Sequence, residues 1–66
     1  MNITQIDDKG YTFTARAITY TIFDNGNTFE IWCKKGRFTN PPRVMTRQEM
    51  RKTSKVMAGF LDVLEA

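Results

Sequence analysis

From Ile18 onward the apolar residues fall at every second position: Ile18, Tyr20 and Ile22, then Phe29, Ile31 and Cys33 beyond a polar gap. Alternation of this kind marks strands that bury one face. The gap reads Asp24-Asn25-Gly26-Asn27, and Asn-Gly readily takes the two positive φ angles of a type I′ turn, whose twist suits a two-residue hairpin. With Asn25 and Gly26 as the loop, Ile22 falls opposite Phe29, Tyr20 opposite Ile31 and Ile18 opposite Cys33, all six on one face. The other face then carries Thr19, Thr21, Phe23, Thr28, Glu30 and Trp32. A one-residue slip would mix the two sets, so the pattern specifies the register.

Upstream the phase changes. Phe13, Ala15 and Ala17 are apolar at odd positions, whereas Ile18, Tyr20 and Ile22 are apolar at even ones. One extra residue near Arg16–Ala17 would reconcile them, which predicts a β-bulge or sharp bend there. Asp8-Lys9-Gly10 reads as an earlier turn, leading back to a short strand around Asn2–Ile6. The expectation is a three-stranded antiparallel meander with strands over about 2–6, 11–23 and 28–35.

Residues 36–45 read as a connector, stiffened by Asn40-Pro41-Pro42, because consecutive prolines favour extended chain and donate no backbone hydrogen bonds. Thr46-Arg47-Gln48-Glu49 is a capping box that starts a helix over 47–65, with Met45 and Met50 placed as a hydrophobic staple. At about 100° per residue, Met50, Thr53, Val56, Met57, Phe60, Leu61, Val63 and Leu64 share a broad apolar face. Arg47, Gln48, Arg51, Lys52, Lys55, Gly59 and Asp62 share the other. The chain is thus expected to be a single α+β domain over 1–66, a βββα arrangement with the helix on the apolar face of the sheet.

Composition narrows the chemistry. With 66 residues there is room for one domain, and a core of this size rarely supplies more than ~3–5 kcal/mol. No apolar run approaches the ~18 residues of a membrane span, and the N-terminus lacks a signal peptide's basic-then-apolar plan. The single Cys33 fits a reducing compartment, so a cytoplasmic location is expected. The chain has no histidine, which removes the usual zinc sites and the commonest general base near neutral pH. Asp7-Asp8 ahead of Lys9-Gly10 is turn chemistry, and the four glycines form no phosphate-cradling motif. A non-enzymatic protein without metal or cofactor is expected.

Charge is the feature that points to a partner. Between Lys34 and Lys55 stand eight cations (Lys34, Lys35, Arg37, Arg43, Arg47, Arg51, Lys52 and Lys55) and one acid, Glu49. That is a net +7 in a chain whose total is +3. A charged outer helix face is ordinarily just solvated. Here, however, Arg47, Arg51 and Lys52 lie near the positive end of the predicted helix dipole while Asp62 and Glu65 lie near the negative end, an arrangement that costs stability. Arg47, Arg51 and Lys55 would form an i, i+4, i+8 row beside the connector cations. Trp32 and Phe38 supply aromatic surface nearby. These residues predict binding of nucleic acid, DNA in the first instance, through phosphate contacts from the eight cations and a base or sugar contact from Trp32 or Phe38.

The alternative is a small interaction protein of the phage or plasmid modulator type. It would dock on a host protein with an acidic surface through the Trp32/Phe23 face, the cations steering the encounter. A membrane partner is not expected, because the helix's apolar face is needed for the core. The molecule is expected to be a monomer or a homodimer, the latter joined by the exposed sheet face or by Thr28–Lys35 as an edge strand. Gly59, on the polar side of the helix, would permit close approach of a partner or be neutral.

In architecture, three antiparallel strands followed by one C-terminal helix, the chain resembles the arm-type DNA-binding domains of phage and transposon integrases and the plant AP2-type domains. That resemblance implies a sheet face laid in a DNA groove with the helix packed behind. It rests on element order over the whole chain and carries over no residue. In this sequence the cations lie mainly on the connector and helix, with Arg16 and Lys34 on the sheet.

Overall fold

The computed structural model describes all 66 residues, Met1–Ala66. It is an α+β fold in two layers: one antiparallel sheet, and a C-terminal helical segment across one face. In chain order the strands are β1 (Thr4–Gln5), β2 (Gly10–Ala15), β3 (Ile18–Asp24), β4 (Thr28–Lys35), β5 (Phe38–Thr39) and β6 (Arg43–Thr46). The helices are α1 (Arg47–Thr53) and α2 (Lys55–Leu64). The sheet runs β1-β2-β3-β4-β5, with β6 also paired to β4. The α+β class and the antiparallel sheet therefore agree with the sequence, but the sheet has more than three strands.

The first difference lies where the hydrophobic phase changes. The expected long strand 11–23 is two strands joined by a hairpin whose loop is Arg16-Ala17, with φ of 53° and 64°. Two positive φ angles in a two-residue loop are the type I′ signature, made here without the usual Asn or Gly. Ala15 pairs with Ile18 and Phe13 with Tyr20. In antiparallel pairs whose numbers add to an odd total, odd positions on one strand share a face with even positions on the next. The phase change is a chain reversal, and no bulge is needed.

The second hairpin keeps its faces but not its register. Gly26 and Asn27 form the loop, closed by a hydrogen bond from the Asn25 N–H to the Thr28 carbonyl at 2.9 Å. Gly26 alone has positive φ, 94°, as at the first central position of a type II′ turn. Ile22 consequently opposes Ile31, Tyr20 opposes Cys33, and Thr21 opposes Trp32. The shift relative to an Asn25-Gly26 loop is two residues, an even number, so every side chain stays on its predicted face. The Asp24 carboxylate selects this turn by accepting from the Gly26 N–H at 2.8 Å.

The third difference is the connector, most of which is sheet. After the Gly36-Arg37 turn, β5 pairs with the end of β4, Lys35 opposite Phe38 and Lys34 opposite Thr39. The chain resumes pairing as β6, Ile31 opposite Arg43 and Phe29 opposite Met45. Between these stretches Asn40, Pro41 and Pro42 face only Trp32 and Cys33. One extra residue is bulged out where prolines could not donate to a ladder in any case. Strand β4 is thus paired on both sides, and Thr28–Lys35 is not an edge open to a second copy.

The capping box forms as predicted, the Thr46 hydroxyl accepting from the Glu49 N–H and the Glu49 carboxylate from the Thr46 N–H at 3.0 Å. The expected single helix 47–65, however, breaks at Ser54, which is extended at φ −152° and ψ 126°. Thr53 and Ser54 both bond locally, Thr53 Oγ1 donating to the Glu49 carbonyl at 2.7 Å and Ser54 Oγ accepting from the Met57 N–H. Such hydroxyls compete with continued helix and favour a new cap. The break turns α2 back across the sheet. Phe60 then becomes the centre of the core, stacked on Phe13 at 5.5 Å and set edge-on to Tyr11 and Phe29. Ile22, Phe29, Met50, Phe60 and Leu61 are fully buried around it.

Candidate nucleic-acid interface

Hairpin geometry sorts the charges by the end of the sheet at which each turn lies. The β1–β2 and β3–β4 turns share one end, where the Asp24 N–H donates to the Lys9 carbonyl at 2.8 Å. That end holds Asp7, Asp8 and Asp24, with Glu30 one pair inward. The carboxylates are partly consumed by the backbone, since Asp7 accepts from the N–H groups of Lys9 and Gly10, the turn chemistry its sequence suggests. Arg47 reaches the same end, donating to the Gly26 carbonyl at 2.9 Å while its guanidinium lies 4.9 Å over the Phe29 ring.

Asp62 and Glu65 join this acidic end through Arg47 and Arg51. Arg47 pairs with Glu65 at 3.0 Å, and Arg51 with Asp62 at 2.9 Å and Glu65 at 3.4 Å. These are the only ion pairs in the molecule. The hydrogen bond to Asp62, above all, raises the Arg51 pKa. The i, i+4, i+8 row of Arg47, Arg51 and Lys55 does not form, because the chain bends at Ser54. The two arginines that a single helix would set against its dipole have acids of their own chain as partners.

The opposite end carries the β2–β3 and β4–β5 turns, and with them Arg16, Lys34, Lys35 and Arg37. Arg43 on β6, Asn40, Pro41, Cys33, Tyr20 and Ser54 line one recess between the sheet edge and the helix break. Lys52 and Lys55 stand on either side of Ser54 in the chain, and Ser54 lines that recess. None of these seven cations makes an ion pair. Burial raises the Cys33 pKa, an effect partly offset by the charge of Arg43. Burial likewise raises that of Tyr20, reinforced by Cys33 and opposed by Arg16.

Six of the eight predicted cations are thus gathered and free, while Arg47 and Arg51 are engaged elsewhere. Arg16, read from sequence as lying within a strand, joins the six because it stands in a turn. The two predicted aromatics separate. Trp32 shares with Lys34 the sheet face turned away from the helices, whereas Phe38 is paired with Lys35 on the helix-facing side, beyond the end of the core, and is 81% exposed. Trp32 is 37% exposed, and its indole N–H donates to Glu30 Oε2 at 3.0 Å.

The outer face continues from Trp32 as rows across the strands. One row is Thr4, Thr12, Thr21 and Trp32; a second is Gly10, Phe23, Glu30 and Val44; a third is Thr14, Thr19, Lys34 and Thr39. Phe23 lies over Gly10, where a Cβ would stand only 3.0 Å from the ring and 2.8 Å from Ile6 Cγ1. Trp32, Phe23, Glu30, Lys34 and the threonines at 19, 21 and 39 border a shallow recess of about 420 Å³. The alternation Thr-x-Thr at 12–14 and 19–21 is the sequence signal for this face.

No helix is long and apolar enough to cross a membrane. In comparisons with family models, curated proteins and solved structures, nothing matches this chain.

Proposed function

We propose that this protein is a non-enzymatic nucleic-acid-binding protein that grips the phosphate backbone with the basic end of its sheet. Lys34, Lys35, Arg37, Arg43, Lys52 and Lys55 make the phosphate contacts, with Arg16 beside them and Trp32 adjoining on the outer face. The observation that carries this reading is the segregation of charge: seven unpaired cations at one end, with the acids drawn to the other. A field of one sign held on strands, turns and a helix junction attracts a polyanion without first having to be ordered. Arg47 and Arg51 are left out of the site.

The test is fluorescence anisotropy of labelled 20-nucleotide single strands and 20-base-pair duplexes, titrated at several salt concentrations. Six phosphate contacts give a slope of log K against log [salt] of roughly −5 on duplex and about −4 on a single strand. Absence of binding at low salt, or a flat salt dependence, overturns the proposal.

A further inference from the structure

Resting on that reading, we infer that the nucleic acid held here is single-stranded, with unpaired bases stacked on the outer face of the sheet at Trp32 and Phe23. Apart from Phe23, Glu30, Trp32, Lys34 and Val44, the outward positions of the strands are Gly10 and threonines. Among them is no arginine, asparagine or glutamine, which make the planar bidentate contacts to base edges in a duplex groove, and the only charged side chains are Lys34 and Glu30. What the face offers instead is aromatic surface and short hydroxyls. Duplex bases keep their π faces against one another, so such a surface matches bases that are already unstacked.

The geometry orients the strand as well. Glu30 is the single acid on this face, and its carboxylate accepts the Trp32 indole N–H, which fixes the plane of the ring. Its charge lies on the Phe23 side of Trp32, and Lys34 lies on the other. Phosphates are therefore drawn toward Lys34, Arg16 and Arg37, and bases toward Trp32 and Phe23. The Thr12 hydroxyl is engaged with the Tyr20 carbonyl, and Thr14 with Thr19. The hydroxyls of Thr21 and Thr39 have no partner in the protein and are free to bond a base edge or sugar.

The chain has one tryptophan, so its fluorescence reports this site alone. Titration with a 15-nucleotide oligo(dT) quenches Trp32 and binds at least 10-fold more tightly than a 15-base-pair duplex at the same salt. Trp32→Ala weakens oligo(dT) binding by roughly 5- to 150-fold, the span of one base stacked on one aromatic, while Trp32→Phe retains most of the affinity. Circular dichroism melts of both variants confirm that they are folded, and the phenylalanine variant separates loss of stacking from loss of structure. Equal affinity for strand and duplex, or binding that leaves Trp32 unquenched, overturns the inference while leaving phosphate binding intact. Absence of salt-dependent binding to either probe overturns both.

Discussion

The guanidinium of Arg51 on α1 donates to the carboxylate of Asp62 on α2 across 2.9 Å. In one continuous helix these residues would sit at opposite ends, each facing the dipole end that disfavours it. The break at Ser54 folds α2 back and makes them partners. With Arg47 and Glu65 beside them, four charges that suggested an outside ligand are satisfied within the chain.

Charge neutralisation should therefore discriminate sharply along the basic segment. Arg51→Gln leaves the affinity for single-stranded DNA and its salt dependence unchanged. Lys34→Gln lowers the magnitude of the salt slope by roughly 0.7 to 0.9, the loss of one phosphate contact. Parallel salt titrations of the two variants check this, and an Arg51→Gln slope reduced as much as that of Lys34→Gln would contradict the assignment.

The Arg16-Ala17 turn holds two non-glycine residues at positive φ, a conformation that costs about 1–2 kcal/mol for each. Ala17→Gly relieves one of them and gives back part of the gain through the greater freedom of glycine in the unfolded chain. The net stabilisation is about 1 kcal/mol, which in a domain of this size raises Tm by roughly 4–8 °C. Thermal unfolding followed by circular dichroism measures it. A lowered Tm would mean that the turn is not strained.

That turn also shows what the sequence could and could not disclose. Side-chain alternation depends on local chemistry, and it placed Ile22, Phe29, Ile31 and Cys33 on one face even though the hairpin register differs by two residues. The Thr46–Glu49 capping box was legible because all its atoms lie within one turn of chain. Arg16-Ala17 has no glycine or asparagine to advertise a reversal, so strain tolerated for the sake of pairing Phe13 with Tyr20 stayed hidden. The break at Ser54 was hidden for the opposite reason, since hydroxyls tolerated within a helix end it only when tertiary packing rewards the bend. The cations were visible as a run. Their division into a free set and a paired set depended on which ends of which turns meet.

Phe60 is the residue on which both layers converge, touching rings from β2 and β4. Phe60→Ala costs about 3–5 kcal/mol, comparable to the whole stability that a core this small supplies. The variant should be largely unfolded at 25 °C, with the fluorescence of Trp32 shifted to that of a solvated indole. Phe60→Leu keeps most of the volume and should fold with a lowered urea midpoint. A cooperative wild-type-like transition in Phe60→Ala would show that the core is centred elsewhere.

Cys33 and Tyr20, paired across β3 and β4, make stability fall on the alkaline side. Burial raises the thiol pKa above its ordinary 9.0, with Arg43 pulling the other way, so the folded state holds the proton more tightly than the unfolded chain. The stabilisation is complete below about pH 9 and is lost as pH climbs through the folded-state value. Tyr20 shifts in the same direction, chiefly by burial and then by the neighbouring thiolate, starting from an ordinary 10.0. Urea midpoints measured at pH 8, 9, 10 and 11 should therefore decline, and Cys33→Ala should flatten the decline that begins near pH 9 while leaving the part beyond pH 10 that burial of Tyr20 causes. Because the substitution also leaves a small void, the comparison lies in the slopes and not in the midpoints themselves. The same preference for the neutral thiol predicts that iodoacetamide at pH 8 alkylates Cys33 more slowly in the folded protein than in urea. Parallel slopes together with equal alkylation rates would place Cys33 in an environment as wet as the unfolded chain.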